Sequence, residues 1–346
     1  MDIEFKPLPE IEPTTEPNLQ RPLVTIVIPT FRRPLRLGEC ISSCLAQTGT
    51  PAGGYEILVV DNCPAASAAP VVDDLARSSP VTIRYIHEPR PGVSMARNSG
   101  LRHSNGAFLA FLDDDEVATE SWLAQLLQTQ VRSGADVVFG PVRPRLPAMT
   151  DAMQRALAQF MAGNLTDCPT GTRVGSTIVT PFWSRGKRAY PALATGNCLI
   201  ALQSHSVEGV RFDDRLGLLG GEDALYFIQL ALRGASFVWC AEAVAWEHIP
   251  PERLHLRYIL ARAIRGGQVT SLVPLLLSPA RPRLTALAMA TALAQAPVYA
   301  SLLGAAILTA SPRRYHHLTR LAGAVGKLFW MRPFRGGVWP SWHTRA

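Results

Sequence analysis

Between Val24 and Leu112 the sequence alternates short apolar, β-branched runs with longer stretches in which apolar residues recur every three or four positions. Val24-Thr25-Ile26-Val27-Ile28 is the first run and ends at Pro29; Glu56-Ile57-Leu58-Val59-Val60 is the second and stops at Asp61. Runs at Thr82–Ile86 and Ala107–Leu112 follow. Between them lie a helix with Leu37, Ile41, Cys44 and Leu45 on one face, a helix near 67–78 and another at about 93–104. Strands joined through helices run parallel, and runs without polar alternation are buried on both faces. The pattern predicts an α/β fold with a mostly parallel central sheet and helices on both sides. Further on it predicts a strand at 194–200, a helix from about 222 to 233 stopped by Gly234, and a strand at Ser236–Cys240.

Sheets of this class bind ligands beyond the carboxyl ends of their strands. Pro29-Thr30, Asp61-Asn62 and Asp113-Asp114-Asp115 each stand just past a strand end, so three polar tips converge on one edge. Asp113 to Glu116 are four adjacent carboxylates, which repel unless a cation neutralises them. Oxygen-only ligands favour Mg²⁺ or Mn²⁺, and such an ion would bridge a diphosphate leaving group. The same acids would also serve as a solvated turn before a helix at 119–132. Asp61 has two readings as well, an acceptor for a uracil or ribose group or a turn residue bonded to its own backbone.

Gly92 opens a helix that places Arg97 one turn in, where a guanidinium grips phosphate oxygens or simply sits on the surface. Gly220-Gly221-Glu222-Asp223 opens an apolar helix. Carboxylates there are stabilised by the helix dipole, and serve as a general base or as a cap. His248, after a strand at Ala243–Trp246, matters only if the Asp cluster binds a metal.

Charge divides the chain unevenly. Residues 1–250 hold 21 Lys/Arg against 26 Asp/Glu, whereas 251–346 hold 13 against 1. A basic end behind an acidic body points to phosphates or anionic lipid, and no nucleic-acid recognition motif accompanies it. Leu284–Pro312 has no charged residue over 29 positions, with Pro297 near its middle and arginines on both flanks. That is long enough to span a bilayer, but basic residues at both ends predict a hairpin bent at Pro297 that stays on the cytoplasmic side; the rival reading is a soluble helical pair packed on the catalytic domain. Met1 to Gln20 is acidic and proline-rich, without a signal peptide's apolar core, and reads as a disordered lead-in. Six scattered cysteines lack zinc-ligand spacing and read as reduced and buried.

Taken together, Val24–Arg32, Val59–Asn62, Pro91–Gly100, Phe111–Glu116, Thr195-Gly196-Asn197 and Gly221–Asp223 resemble, in order and spacing, the family 2 glycosyltransferases of the GT-A fold over roughly residues 22–270. The run His87–Gly92 resembles the subgroup of bacterial exopolysaccharide transferases related to succinoglycan synthesis. The resemblance implies an inverting, single-sugar transfer from a nucleotide-sugar donor, usually a UDP-sugar, to a glycan or polyprenyl-linked saccharide. Pro29, Thr30, Arg32, Asp61, Arg97, Asp113, Asp114 and Asn197 would contact the donor, with Arg262 and Arg265 reaching its diphosphate. Asp113 and Asp115 form the D-x-D pair that would hold Mn²⁺ or Mg²⁺ with His248, which lies 25 residues after Asp223. Asp223 would be the base and Glu222 the fallback. The processive motif Gln-x-x-Arg-Trp does not occur. The expected division is a lead-in at 1–21, a catalytic domain at 22–270 and a membrane-associating helical region at 271–346, at the cytoplasmic face of the inner membrane.

Two other readings compete. Asp113-x-Asp115-x-Val117 also satisfies the short nucleophile pattern of haloacid-dehalogenase-like phosphatases, although there it follows the first core strand and here the fourth. A membrane-docked scaffold that lost turnover would keep the fold without needing its intact acid sets.

Overall fold

The computed structural model describes residues 22–50, 54–148, 152–161, 168–174, 194–277 and 282–331. The expected lead-in at 1–21, most of the irregular stretch at 141–195 and the basic end after 331 lie outside the described residues.

The chain begins with β1 (Val24–Thr30), α1 (Pro34–Leu45), β2 (Tyr55–Asp61), α2 (Ala69–Ser78), β3 (Ile83–His87), α3 (Val93–His103) and β4 (Phe108–Leu112), in the alternation that the sequence predicts. It continues through β5 (Glu116–Ala118), α4 (Trp122–Ser133), β6 (Val137–Phe139), β7 (Val142–Arg145), α5 (Ala152–Met161), β8 (Asn197–Ala201), α6 (Glu222–Leu232), β9 (Phe237–Trp239) and β10 (Ala245–His248). Three helices close it: α7 (Leu256–Leu277), α8 (Pro282–Leu308) and α9 (Arg313–Leu328).

Seven strands form one sheet in the order β3-β2-β1-β4-β8-β6-β9, and β5, β10 and β7 form a small second sheet. Only β8 runs against its neighbours in the large sheet, pairing antiparallel with β4 and β6. The pleat of β1 explains its unbroken apolar run. Val24, Ile26 and Ile28 share a core with Leu37 and Ile41 of α1 and Trp122 and Leu126 of α4. Val27 shares the opposite core with Leu58, Ala96 of α3, Phe111 and Tyr226 of α6. Burying such side chains stabilises by about 1.5–3 kcal/mol each, so a strand apolar on both faces belongs at the sheet's centre. Strand order runs outward from β1 to β3, then resumes with β4 on the other side of β1. That reversal opens a crevice at the carboxyl ends of β1 and β4.

α7 packs on α6 and α9, and α8 lies against α7 and α9. The expected division at 270/271 falls inside α7, which runs unbroken across it. The expected hairpin at Pro297 does not form: α8 is one helix through that proline, about 40 Å long. A helical proline forfeits one backbone bond and crowds the preceding turn, and α8 absorbs this at a position exposed to solvent. The chain reverses instead after Leu308, where Ala310 takes a left-handed φ of 51° and Ser311 N donates to Ala306 O at 2.9 Å. This pairing closes the helix end as a Schellman motif does. α8 turns small residues inward, with Thr285, Ala288, Ala292 and Ala306 buried, while Leu287, Leu293, Val298, Leu302, Ile307 and Leu308 are exposed.

Candidate active site

Strand register assembles the site. Thr30 stands beside Asp61 across β1 and β2, and Leu112 beside Asn197 across β4 and β8. Thr30, Asp61, Asp113 and Thr195 therefore line one sheet edge. Gly196 makes the approach possible: a Cβ there would lie 2.5 Å from Glu116 Oε1 and 3.1 Å from Asp113 Oδ2. Gly221, at φ 90°, turns the chain into α6 where a side chain would strike Val269 at 2.5 Å. The turn aims the first residues of α6, Glu222 and Asp223, at the same edge.

The acidic loop is heavily committed to arginines. Asp114 accepts from Thr30 Oγ1 at 2.8 Å and from Arg33 Nη1 at 2.9 Å. Burial pushes its carboxyl up to about 6 against the pull of Arg33. Asp115 Oδ2 accepts from Arg33 Nη1 at 2.9 Å and Arg253 Nη2 at 3.0 Å. Glu116 is buried, and burial together with Asp113 and Asp115 raises its carboxyl well above the usual range. Asp113 is the open member, with 38% of its side chain exposed.

His248 does not join this loop as a metal ligand. Its backbone N donates to Asp115 O at 2.9 Å, but its Nε2 lies 2.7 Å from Arg36 Nη2. Burial and the Arg36 guanidinium lower its pKa, so a neutral ring accepts from the arginine. Among the described residues no three His, Cys, Asp or Glu side chains form a group able to hold a metal. Two oxygens are nevertheless uncommitted: Asp113 Oδ2 and Asp115 Oδ1 accept no hydrogen bond from the described residues. As hard oxygen donors they fit a divalent cation whose remaining positions come from phosphate and water. They do not fit one that also needs His248 where it stands.

Arg97 is corrected more sharply. It is not a surface arginine: only 5% of its side chain is exposed. Nη1 donates to Glu222 Oε1 at 2.8 Å and Asp223 Oδ1 at 2.6 Å, and Nη2 lies 3.5 Å from Asp113 Oδ1. Burial alone would lower its pKa, but Asp223, Asp113 and Glu222 hold the guanidinium above its ordinary value. Glu222 is the more buried of the two acids, and burial beside Asp223 raises its carboxyl. Asp223 is the more open, and Thr195 Oγ1 donates to its Oδ1 at 3.0 Å.

Several other expected donor contacts are used within the fold. Asp61 is fully buried; Oδ1 accepts from Cys63 N at 2.9 Å, and Oδ2 from Ala68 N at 2.7 Å and Tyr85 Oη at 3.1 Å. It is the turn-bonding acid of its two readings. Asn197 is equally engaged: Nδ2 donates to Pro141 O and Ala243 O, and Oδ1 accepts from Trp122 Nε1 at 2.7 Å. Pro29 is buried in β1, and Arg32 is exposed with its guanidinium 5.2 Å from the centroid of the Phe31 ring. Arg262 is exposed on α7, while Arg265 is half-buried against Gly220. Arg33, Arg36, Arg253 and Thr195 complete the site without having been singled out for these roles. Two of them carried a signal: Thr195 opens the segment Thr195-Gly196-Asn197, and Arg33 lies three residues past a strand end in a segment already marked by Thr30.

The family model described as Glycosyl transferase family 2 matches residues 25–191. The chain is 33% identical over 248 residues to the succinoglycan biosynthesis protein ExoM of Rhizobium meliloti, covering 71% of this chain and 73% of that one. To ExoW, a second succinoglycan biosynthesis protein of that organism, it is 28% identical over 231 residues, 64% and 67% of the two chains. The mannosyltransferase PcManGT of Pyrobaculum calidifontis, solved with GDP-Man and Mn²⁺, superposes with a TM-score of 0.57 at 20% identity over 90% of this chain and 88% of that one. At that identity the likeness is one of fold.

Proposed function

This chain belongs to glycosyltransferase family 2, an enzyme of the GT-A fold, and on that premise we propose that it moves one sugar, with inversion, from a UDP-sugar to a hydroxyl of a saccharide acceptor. One observation carries the reading. Asp223 is a partly open carboxylate at the start of α6, and Arg97 bridges it to Asp113 on the crevice between β1 and β4. A base and a donor-side acid thus face one cleft.

In the proposed step the acceptor oxygen attacks the anomeric carbon from the side opposite the leaving group. Its proton passes to Asp223 as the bond from that carbon to the diphosphate oxygen breaks. Asp113 and Asp115 would hold Mn²⁺ or Mg²⁺, which when bound supplies positive charge to the diphosphate. Arg33 and Arg253 bring two further positive charges to Asp115, beside that position. The succinoglycan biosynthesis names of ExoM and ExoW support a place in surface or exopolysaccharide synthesis, and the acceptor proposed here is a glycan or polyprenyl-linked saccharide. A thermal-shift and nucleotide-release screen of nucleotide sugars, each with Mn²⁺ or with EDTA, tests this. A UDP-sugar is expected to stabilise the protein and release UDP in Mn²⁺ alone; no response to any nucleotide sugar would sink the reading.

The C-terminal region, 271–346, is proposed to rest on the cytoplasmic face of the inner membrane while 22–270 does the chemistry. α8 is long and apolar enough to cross a bilayer by length and composition, with 11% of its most apolar window buried. A soluble amphipathic helix turns its large apolar residues inward; α8 does the reverse. Spanning is disfavoured by α9, which packs against α7 and α8 and carries Arg313, Arg314, Arg320 and Lys327. These charges suit anionic headgroups, at about 1 kcal/mol per well-placed residue. The full-length protein is expected to co-sediment with phosphatidylglycerol vesicles more than with phosphatidylcholine vesicles. Leu293→Glu with Val298→Glu is expected to cut that binding at least roughly tenfold, since each charge must leave water or hold the helix off the surface. Equal binding by the double variant would remove α8 as the contact.

A further inference from the structure

We infer that Arg97 is a positioning residue: it fixes the base Asp223 so that Oδ2, rather than Oδ1, receives the acceptor's proton. This rests on Asp223 being the base.

The hydrogen bonds around Asp223 are lopsided. Oδ1 accepts from Arg97 Nη1 at 2.6 Å and from Thr195 Oγ1 at 3.0 Å. Oδ2 has one long contact, Thr195 N at 3.4 Å. An oxygen already accepting a charge-assisted bond and a hydroxyl bond is the poorer proton acceptor, so the lone pairs left for an incoming hydroxyl are those of Oδ2. Both bonds also stop rotation of the carboxylate, and a base held in one orientation spends no reorganisation at the moment of transfer.

Arg97 is itself held through both terminal nitrogens, while its Nε is buried without a partner among the described residues. Its Nη1 is shared with Glu222 Oε1 at 2.8 Å, and its Nη2 lies 3.5 Å from Asp113 Oδ1. Its guanidinium carbon lies 5.7 Å from the centroid of the Phe212 ring, which stacks on Tyr226 at 4.1 Å. The neighbouring Asn98 exchanges two hydrogen bonds with the Phe212 backbone, both 2.9 Å, locking α3 to that segment. The result is one buried cation joining acids from β4 and α6, more than a hundred residues apart in sequence. Glu222 then has a task distinct from that of its neighbour: it anchors the arginine that orients the base. Because Arg97 is buried, donor phosphates do not reach it, and its loss should leave donor affinity in place.

Arg97→Lys keeps the charge but loses the fork that serves Glu222, Asp223 and Asp113 together. With folding checked by circular dichroism and thermal melting, kcat is expected to fall on the order of 10²-fold. The Kd for UDP with Mn²⁺ and the donor KM are expected to stay within about twofold of wild type. If UDP affinity falls in step with kcat, Arg97 is a donor contact and the proposal is overturned. A folded Lys variant with wild-type kcat overturns it too. Should the Lys variant not fold, Thr195→Val removes the second bond to Oδ1; a drop in kcat of roughly tenfold at unchanged UDP affinity supports the orientation of Asp223, and unchanged kcat rejects it. Asp223→Asn, run in parallel, separates the two readings. If it turns over normally, the base assignment fails and takes the proposal with it; if it is inactive while Arg97→Lys is fully active, only the positioning role fails.

Discussion

Asp223→Asn is expected to fold, bind the donor and lose on the order of 10²–10⁴ of its turnover. The asparagine oxygen can take the place of Oδ1 and accept from Arg97 and Thr195, as the aspartate does now. Its amide nitrogen then occupies the position of Oδ2, where the proton should arrive, and has no lone pair to receive it. Stability should change little. Arg97 would keep Glu222 and Asp113 as partners, so no buried charge is orphaned, which is what makes such losses costly. Melting temperature within a few degrees of wild type, unchanged donor affinity and absent turnover together identify a chemical rather than a structural loss. Wild-type turnover would move the base elsewhere. Glu222 is a poor substitute on geometry, because its Oε1 is bonded to Arg97 and its Oε2 is buried without a partner.

The parts of the fold that could be read from sequence are those whose signal is local and long enough to repeat. β1, β2 and β4 are mainly apolar because they are covered on both faces, and their ends place the polar tips without further information. β5 and β6 have three residues each and β7 four, too short for a period to declare itself; their partners lie up to about 130 residues away, as Glu116 and Glu247 do. Pro297 misled for a related reason. The local rule weighs one lost backbone bond, whereas packing along α7 and α9 decides whether the helix continues. Within the site, the sequence marks which residues stand at strand ends but not which way they face. Thr30, Asp61 and Asn197 each turn inward and are consumed by the scaffold. Asp113 and Asp223 stay more open, at 38% and 22% of their side chains, and Asp115 Oδ1 accepts no hydrogen bond from the described residues. The pairing of Arg33 and Arg253 at Asp115 became visible only in three dimensions, because Asp115 is 82 residues from one and 138 from the other.

That shared partner sets the sign of the other large effect, at Asp115→Ala. Asp115 is proposed to hold the cation through Oδ1 while its Oδ2 balances two guanidiniums. Removing it takes one of two protein oxygens from the ion, and the donor's Mn²⁺-dependent affinity is expected to fall by 10–100-fold or more, the loss that deleting even an outer partner of a metal ligand can cause. The metal-free affinity should move the other way or not at all. Arg33 keeps Asp114 and, among the described residues, Arg253 keeps Glu247 as its carboxylate partner, and their positive charge is less fully cancelled at the mouth of the crevice. An anionic diphosphate meets a more positive surface there, an effect that should shrink as salt rises. Calorimetry of UDP binding in Mn²⁺ and in EDTA, at low and high salt, measures both. In the wild type the ratio of the two dissociation constants should be large; in the variant it should collapse toward one, with the EDTA value equal to or tighter than that of the wild type. A variant that keeps the wild-type ratio would show that Asp115 is no ligand and serves only to hold Arg33 and Arg253. A variant that loses affinity equally in both conditions would mean that the loop, rather than the ion, was lost.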